Sequence, residues 1–141
     1  MQAAQQKTFL SAPKFAVIGA SKDQSKWGTK VLQWYIERDL SVTPVHPKES
    51  ELEGIAAVKD ISEIPDLSNT SVSLITNPAI TLNILKSLKE KDISPNALWL
   101  QPGVADQTVI DYLNESGLEE KAVFGGPCIL VLGDGVRKSL L

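Results

Sequence analysis

Two side chains stand out for chemistry near neutral pH: the single histidine, His46, and the single cysteine, Cys128. His46 precedes a proline, and no carboxylate partner is evident for it. That favours a strand-end hydrogen-bonding residue over a general base. Cys128 has no clear base beside it, so a packed structural thiol outweighs a reactive one. One cysteine rules out an intrachain disulfide and a cysteine-based zinc cluster. One His with one Cys leaves too few ligands for a protein-only metal site. The chemistry the sequence does support is anion binding. Residues 15–28 read FAVIGASKDQSKWG. Phe15, Ala16, Val17 and Ile18 end at Gly19, a polar loop with Ser21, Lys22 and Ser25 follows, and an amphipathic segment starts near Lys26. A buried strand feeding a helix this way aims backbone N–H groups and the positive end of the helix dipole at one point. Phosphate is the usual guest.

Two absences narrow the choice of phosphate. After Gly19 the G-x-G-x-x-G pattern fails, because positions 21 and 24 are Ser and Gln. A dinucleotide pyrophosphate needs that close backbone approach, so a standard NAD site is disfavoured. The end of the second strand carries His46, Pro47 and Lys48 where an NAD site needs an acid for the ribose hydroxyl. A cation there suits a ribose phosphate, either the 3′-phosphate of coenzyme A or the 2′-phosphate of NADP. No G-x-x-x-x-G-K-[ST] occurs, which excludes a Walker-type NTPase.

The elements that must position this loop follow in order. Residues 1–13 read as a loose, flexible N-terminal arm closed by Pro13, and residues 14–141 as one domain. A buried strand covers 15–18. A helix with Ser25 as N-cap presents Val31, Leu32, Tyr35 and Ile36 at spacings of three and four. Strand 42–45 contains Pro44, which places it at an edge. A short strand at 55–58 and a brief helix after Asp60, stopped by Pro65, come next. Strand 71–76 runs into Asn77-Pro78. Helix 79–91 has Ile80, Ile84, Leu85 and Leu88 on one side. Strand 96–100 ends in Gln101-Pro102-Gly103. Asp106 caps a helix ending at Gly117, and strand 121–124 turns at Gly125-Gly126-Pro127. The tail after Cys128 has no clear assignment; its apolar residues 129–132 fit an extra strand or a contact surface. Asp134 is placed to cap a tail turn.

Strands alternating with helices predict an α/β fold: a Rossmann-like, doubly wound parallel sheet in a single three-layer domain. Ligands of such sheets bind beyond the carboxyl ends of the strands at the switch point. The loops meeting there are 19–27, 46–48, 76–78 and 101–103. Trp27, at a helix start, is the tryptophan best placed to line a pocket, while Trp34 and Trp99 read as packing residues.

The net charge of −3, with no basic run, argues against nucleic-acid binding. No apolar run approaches the ~18–20 residues that span a bilayer. The first residues lack the apolar core of a signal peptide and lack arginine. A cytoplasmic, reducing location is the expectation.

FAVIGAS, then WG, PVHPK, DISEIP, ITNPA and WLQPGV, in this order, resemble the small stand-alone CoA-binding domain proteins. Those are similar to the N-terminal domain of the succinyl-CoA synthetase alpha subunit. The resemblance runs from Phe15 to Cys128 and implies a Rossmann-like fold that binds coenzyme A. It implies that Gly19, Ala20, Ser21 and Lys22 form the phosphate loop and that Pro47 and Lys48 lie near the adenosine end. Thr76, Asn77 and Pro78 match the loop under the pantetheine arm, and Gln101, Pro102 and Gly103 the loop after the next strand. Cys128 falls where many relatives carry a cysteine. The tail VLGDGVRKSLL departs from the family pattern. The synthetase's phosphate-carrying histidine domain and its partner subunit do not fit in 141 residues, so no thiokinase activity is expected.

The leading reading is a module that binds CoA or an acyl-CoA without chemistry of its own. An NADP-linked oxidoreductase, or a fragment of an acyl-CoA-using enzyme, is the alternative, and a protein-interaction domain on a degenerate Rossmann fold is a third. A homo-oligomer or a protein partner is compatible with each.

Overall fold

The computed structural model describes residues 2–141. Five strands form one parallel sheet in the order β2-β1-β5-β6-β7. They are β1 (Lys14–Ile18), β2 (Val42–Val45), β5 (Thr70–Leu74), β6 (Ala97–Leu100) and β7 (Ala122–Val123). A two-stranded antiparallel hairpin, β3 (Glu51–Leu52) with β4 (Ile55–Ala56), stands beside it. The helices are α1 (Ala3–Leu10), α2 (Trp27–Glu37), α3 (Pro78–Glu90), α4 (Gln107–Ser116) and α5 (Ile129–Ser139). This is the expected three-layer α/β arrangement.

Alternation along β1 divides the core in two. Ala16 and Ile18 face a layer built with Leu85 and Leu88 of α3 and Val109 and Leu113 of α4. Phe15 and Val17 face the opposite layer, with Phe9 of α1, Leu32 and Tyr35 of α2 and Ile129 of α5. Both faces of a parallel sheet are therefore covered, which is why its strands read as unbroken apolar runs. The Tyr35 hydroxyl lies 2.7 Å from Ser73 Oγ in this second layer; burial pushes its pKa up.

Several local expectations are corrected. Residues 3–10 form a helix where a loose arm was expected. Met1 of that arm lies outside the described residues. Ala and Gln favour helix, and the apolar pair at its end anchors it: Phe9 packs edge-on against Trp99 at 5.5 Å and lies 5.8 Å from Phe15. The tail folds as α5 instead of a strand. Gly133 lets it lie on α2, since a Cβ there would sit 2.4 Å from Trp34 Cζ2. Asp134 caps nothing; its carboxylate receives Arg38 Nε and a second guanidinium nitrogen at 2.7 and 2.8 Å. Ser25 does not cap α2, because its N–H and hydroxyl both donate to Asp23 Oδ1 at 2.9 and 2.6 Å. The stretch at 55–58 is split between β4 and a single parallel bridge from Val58 to Val45. The brief helix after Asp60 is one 3-10 turn, Ile61–Glu63. Ile80, expected inward, is half exposed in the first turn of α3.

Candidate functional site

The switch point lies between β1 and β5, whose chains continue to opposite sides of the sheet. Two glycines let the loop after β1 settle there. Gly19 has φ +120°, and a Cβ on it would meet the Ile75 carbonyl at 2.2 Å. A Cβ on Gly28 would meet the Gly19 carbonyl at the same distance, 2.2 Å. Gly28 thus provides the close helix-to-strand approach that the third glycine gives a dinucleotide loop, nine residues downstream of Gly19 instead of five.

The loop is then pinned by a residue that sequence reading overlooked. Thr29, fully buried, accepts the Ser21 N–H at 3.1 Å and donates to the Ser21 carbonyl at 2.9 Å. Ala20 is buried beneath it. The N-terminus of α2 has no capping side chain, whereas Asn77 caps α3 through the Ile80 N–H and Asp106 caps α4 through the Val109 N–H. The first-turn amides of a helix have no intrahelical acceptor. Those of Trp27, Gly28 and Thr29 receive no capping side chain.

Charges on neighbouring loops meet over this turn. Lys22 Nζ lies 3.0 Å from Glu49, so the loops after β1 and β2 are tied together. The hairpin adds a second tie. Glu53 accepts Gln24 and Gln33 side-chain amides at 2.9 and 3.0 Å, and these bonds hold its carboxyl below the usual range. His46 Nδ1 accepts the N–H of both Lys48 and Glu49 at 3.0 Å. That nitrogen is therefore committed to shaping the loop, and Pro47 and Lys48 are held exposed at its tip.

A cleft of about 480 Å³ opens on the β5–β6 side. It gathers Trp27, Thr76, Pro102, Gly103 and Cys128 with Ile75, Val104 and Val131. Five of the residues read from the sequence thus share one wall. Gln101 is buried behind it, at 1% exposure: its Nε2 donates to Cys128 Sγ at 3.3 Å and its Oε1 accepts the Ile129 N–H at 2.9 Å. It positions the thiol and the start of α5 instead of reaching into the cleft. Asn77 is likewise spent on capping, with Pro78 as the first residue of α3. Thr76 Oγ1 pairs with Thr81 Oγ1 at 2.7 Å. A smaller hollow of about 250 Å³ lies on the β1–β2 side, lined by Ile18, Val45, Ile61 and Ile80, with Asp60 and Asn83. Val131 and Ile80 were not singled out as site residues because only the fold reveals that their apolar side chains border hollows. Among the described residues no group of three or more His, Cys, Asp or Glu could hold a metal ion. No helix there is long and apolar enough to cross a membrane.

A family model described as a CoA binding domain matches residues 13–134. The chain belongs to the CoA-binding domain family. Solved structures agree with that fold. A conserved hypothetical protein from Pyrococcus furiosus is 29% identical with a TM-score of 0.73, over 84% of this chain and 97% of that one. A protein from Thermus thermophilus is 26% identical with a TM-score of 0.76, and each chain is covered in full, 100%. A hypothetical protein from Pyrococcus horikoshii shares the fold at 22% identity and a TM-score of 0.78, over 97% of this chain and 93% of that one. No curated protein matches this chain.

Proposed function

We propose that this member of the CoA-binding domain family binds coenzyme A or an acyl-CoA, in a reducing cytoplasmic setting, and performs no reaction of its own. The observation that carries the reading is the first turn of α2, which has no capping side chain, with two apolar hollows among the loops at the strand ends. A long ligand with a central pyrophosphate fits that plan. Its pyrophosphate meets the amides of Trp27, Gly28 and Thr29 and the loop Gly19, Ala20, Ser21. Lys22 leaves Glu49 for a phosphate oxygen, and Lys48 takes the 3′-phosphate. The adenine ring enters the hollow under Ile80. The pantetheine arm crosses Thr76, Asn77 and Pro78 and brings its thiol towards Cys128, Pro102 and Gly103.

His46 Nδ1 already accepts two amides, and Cys128 has only the Gln101 amide recorded against its sulfur. Calorimetric titration with CoA, 3′-dephospho-CoA, NADPH, NADH and ATP tests the reading. CoA is expected to bind most tightly, and loss of the 3′-phosphate to weaken binding on the order of tenfold, the scale of one charge-assisted contact. Lys48→Ala removes that difference. Binding of NADPH alone would favour an oxidoreductase, and binding of none would favour a protein-interaction domain.

A further inference from the structure

Val131 stands in the first turn of α5 with 77% of its surface exposed, and Trp27 opens α2 with 49% exposed. Single exposed apolar side chains are ordinary. These two, however, line one cleft together with Ile75, Pro102 and Val104, beside the Cys128 thiol. The lining contains no charged side chain. The cation recorded against this wall is Lys30, whose ammonium rests 5.8 Å from the Trp27 ring centroid and is not part of the lining. At about 480 Å³ the cleft is in the range of small-molecule sites, roughly 300–1,000 Å³.

We propose that the cleft lined by Trp27, Val104, Cys128 and Val131 selects acyl-CoA thioesters with a short, uncharged apolar acyl group over free CoA and over thioesters bearing a second carboxylate. This rests on the CoA reading, which brings the sulfur end of the ligand to Cys128. An acyl group extending past that sulfur meets Val131 and Trp27. Each methylene it buries is worth roughly fourfold in affinity. A terminal carboxylate placed there finds no charged partner in the lining to offset the hydration it gives up, and the apolar contact of a methyl is lost.

Butyryl-CoA and succinyl-CoA separate these effects, because their four-carbon acyl groups differ at the far end, a methyl against a carboxylate. In calorimetric titrations of the whole chain, butyryl-CoA is expected to bind about tenfold or more tightly than either CoA or succinyl-CoA. Val131→Ala lowers the ratio of butyryl-CoA to CoA affinity. Val131→Lys supplies the absent partner and shifts preference towards succinyl-CoA. Both changes fall on an exposed position, so the fold survives them. Equal affinity for all three ligands overturns the acyl selection while leaving CoA binding intact. A succinyl preference that disappears in Lys30→Ala also overturns it, by assigning the carboxylate to Lys30. Failure of all three to bind removes the CoA reading and this inference together.

Discussion

Thr29 decides the shape of the loop after β1. It lies eight residues from Ser21, in the first turn of α2, yet both of its hydrogen bonds close on Ser21. Replacing it by valine keeps the volume and leaves a partly buried N–H and carbonyl unpaired. Thr29→Val is expected to lower stability by about 1–3 kcal/mol and to weaken CoA binding, with Thr29→Ser restoring both. Denaturant unfolding and calorimetry on the two variants check this, and an unchanged CoA affinity in Thr29→Val would argue against a preset loop. Gly19 was legible in the sequence because it ends an apolar run. Thr29 was not, since a threonine in a helix carries no local mark of a partner eight residues back. The same limit hid the roles of Gln101 and Asn77. Both stand in the loops expected from the sequence, but Gln101 Oε1 accepts the Ile129 N–H and Asn77 Oδ1 the Ile80 N–H, which only the folded chain reveals.

Among the elements, α2 and α5 pack together, and the starts of both, at Trp27 and Cys128, border the same cleft. Their packing depends on Gly133 against Trp34, with Arg38 stacked 4.4 Å over the Trp34 ring and bonded to Asp134. The Arg38 hydrogen bonds hold the Asp134 carboxyl below its ordinary value of 3.8. A carboxyl depressed by folding stabilises the native state above its unfolded pKa, and that contribution fades as pH falls through the folded value. Asp134→Asn is therefore expected to melt at a lower temperature than the parent at neutral pH, with the difference shrinking as pH falls through the lowered folded-state pKa of the carboxyl. A difference that persists in acid would assign the effect to something other than ionisation. The five strands of the main sheet were readable because a sheet covered on both faces demands unbroken apolar runs. The helices at either end of the chain were not. In α1 only the adjacent pair Phe9 and Leu10 is buried, which leaves no helical stripe. In α5 the run Ile129, Leu130, Val131, Leu132 reads equally as strand, and the contact that settles it is with a helix some hundred residues earlier.

At the scale of the molecule, the chain is a parallel sheet with the uncapped start of α2 and two apolar hollows among the loops at its strand ends. The sheet and its crossing point were legible from the order of strands, glycines and prolines, but the open terminus was not, because Ser25 was expected to cap α2. The hollows were not, because their walls combine residues from distant segments such as Trp27, Val104 and Val131. The central claim is that coenzyme A sits across this point with its pyrophosphate on α2. An NMR titration of uniformly ¹⁵N-labelled protein with CoA addresses it most directly. The account predicts that the amides of Ala20, Ser21, Trp27, Gly28 and Thr29 shift most and saturate together. Saturable CoA binding that leaves these five amides unmoved, or no binding at all, would contradict it.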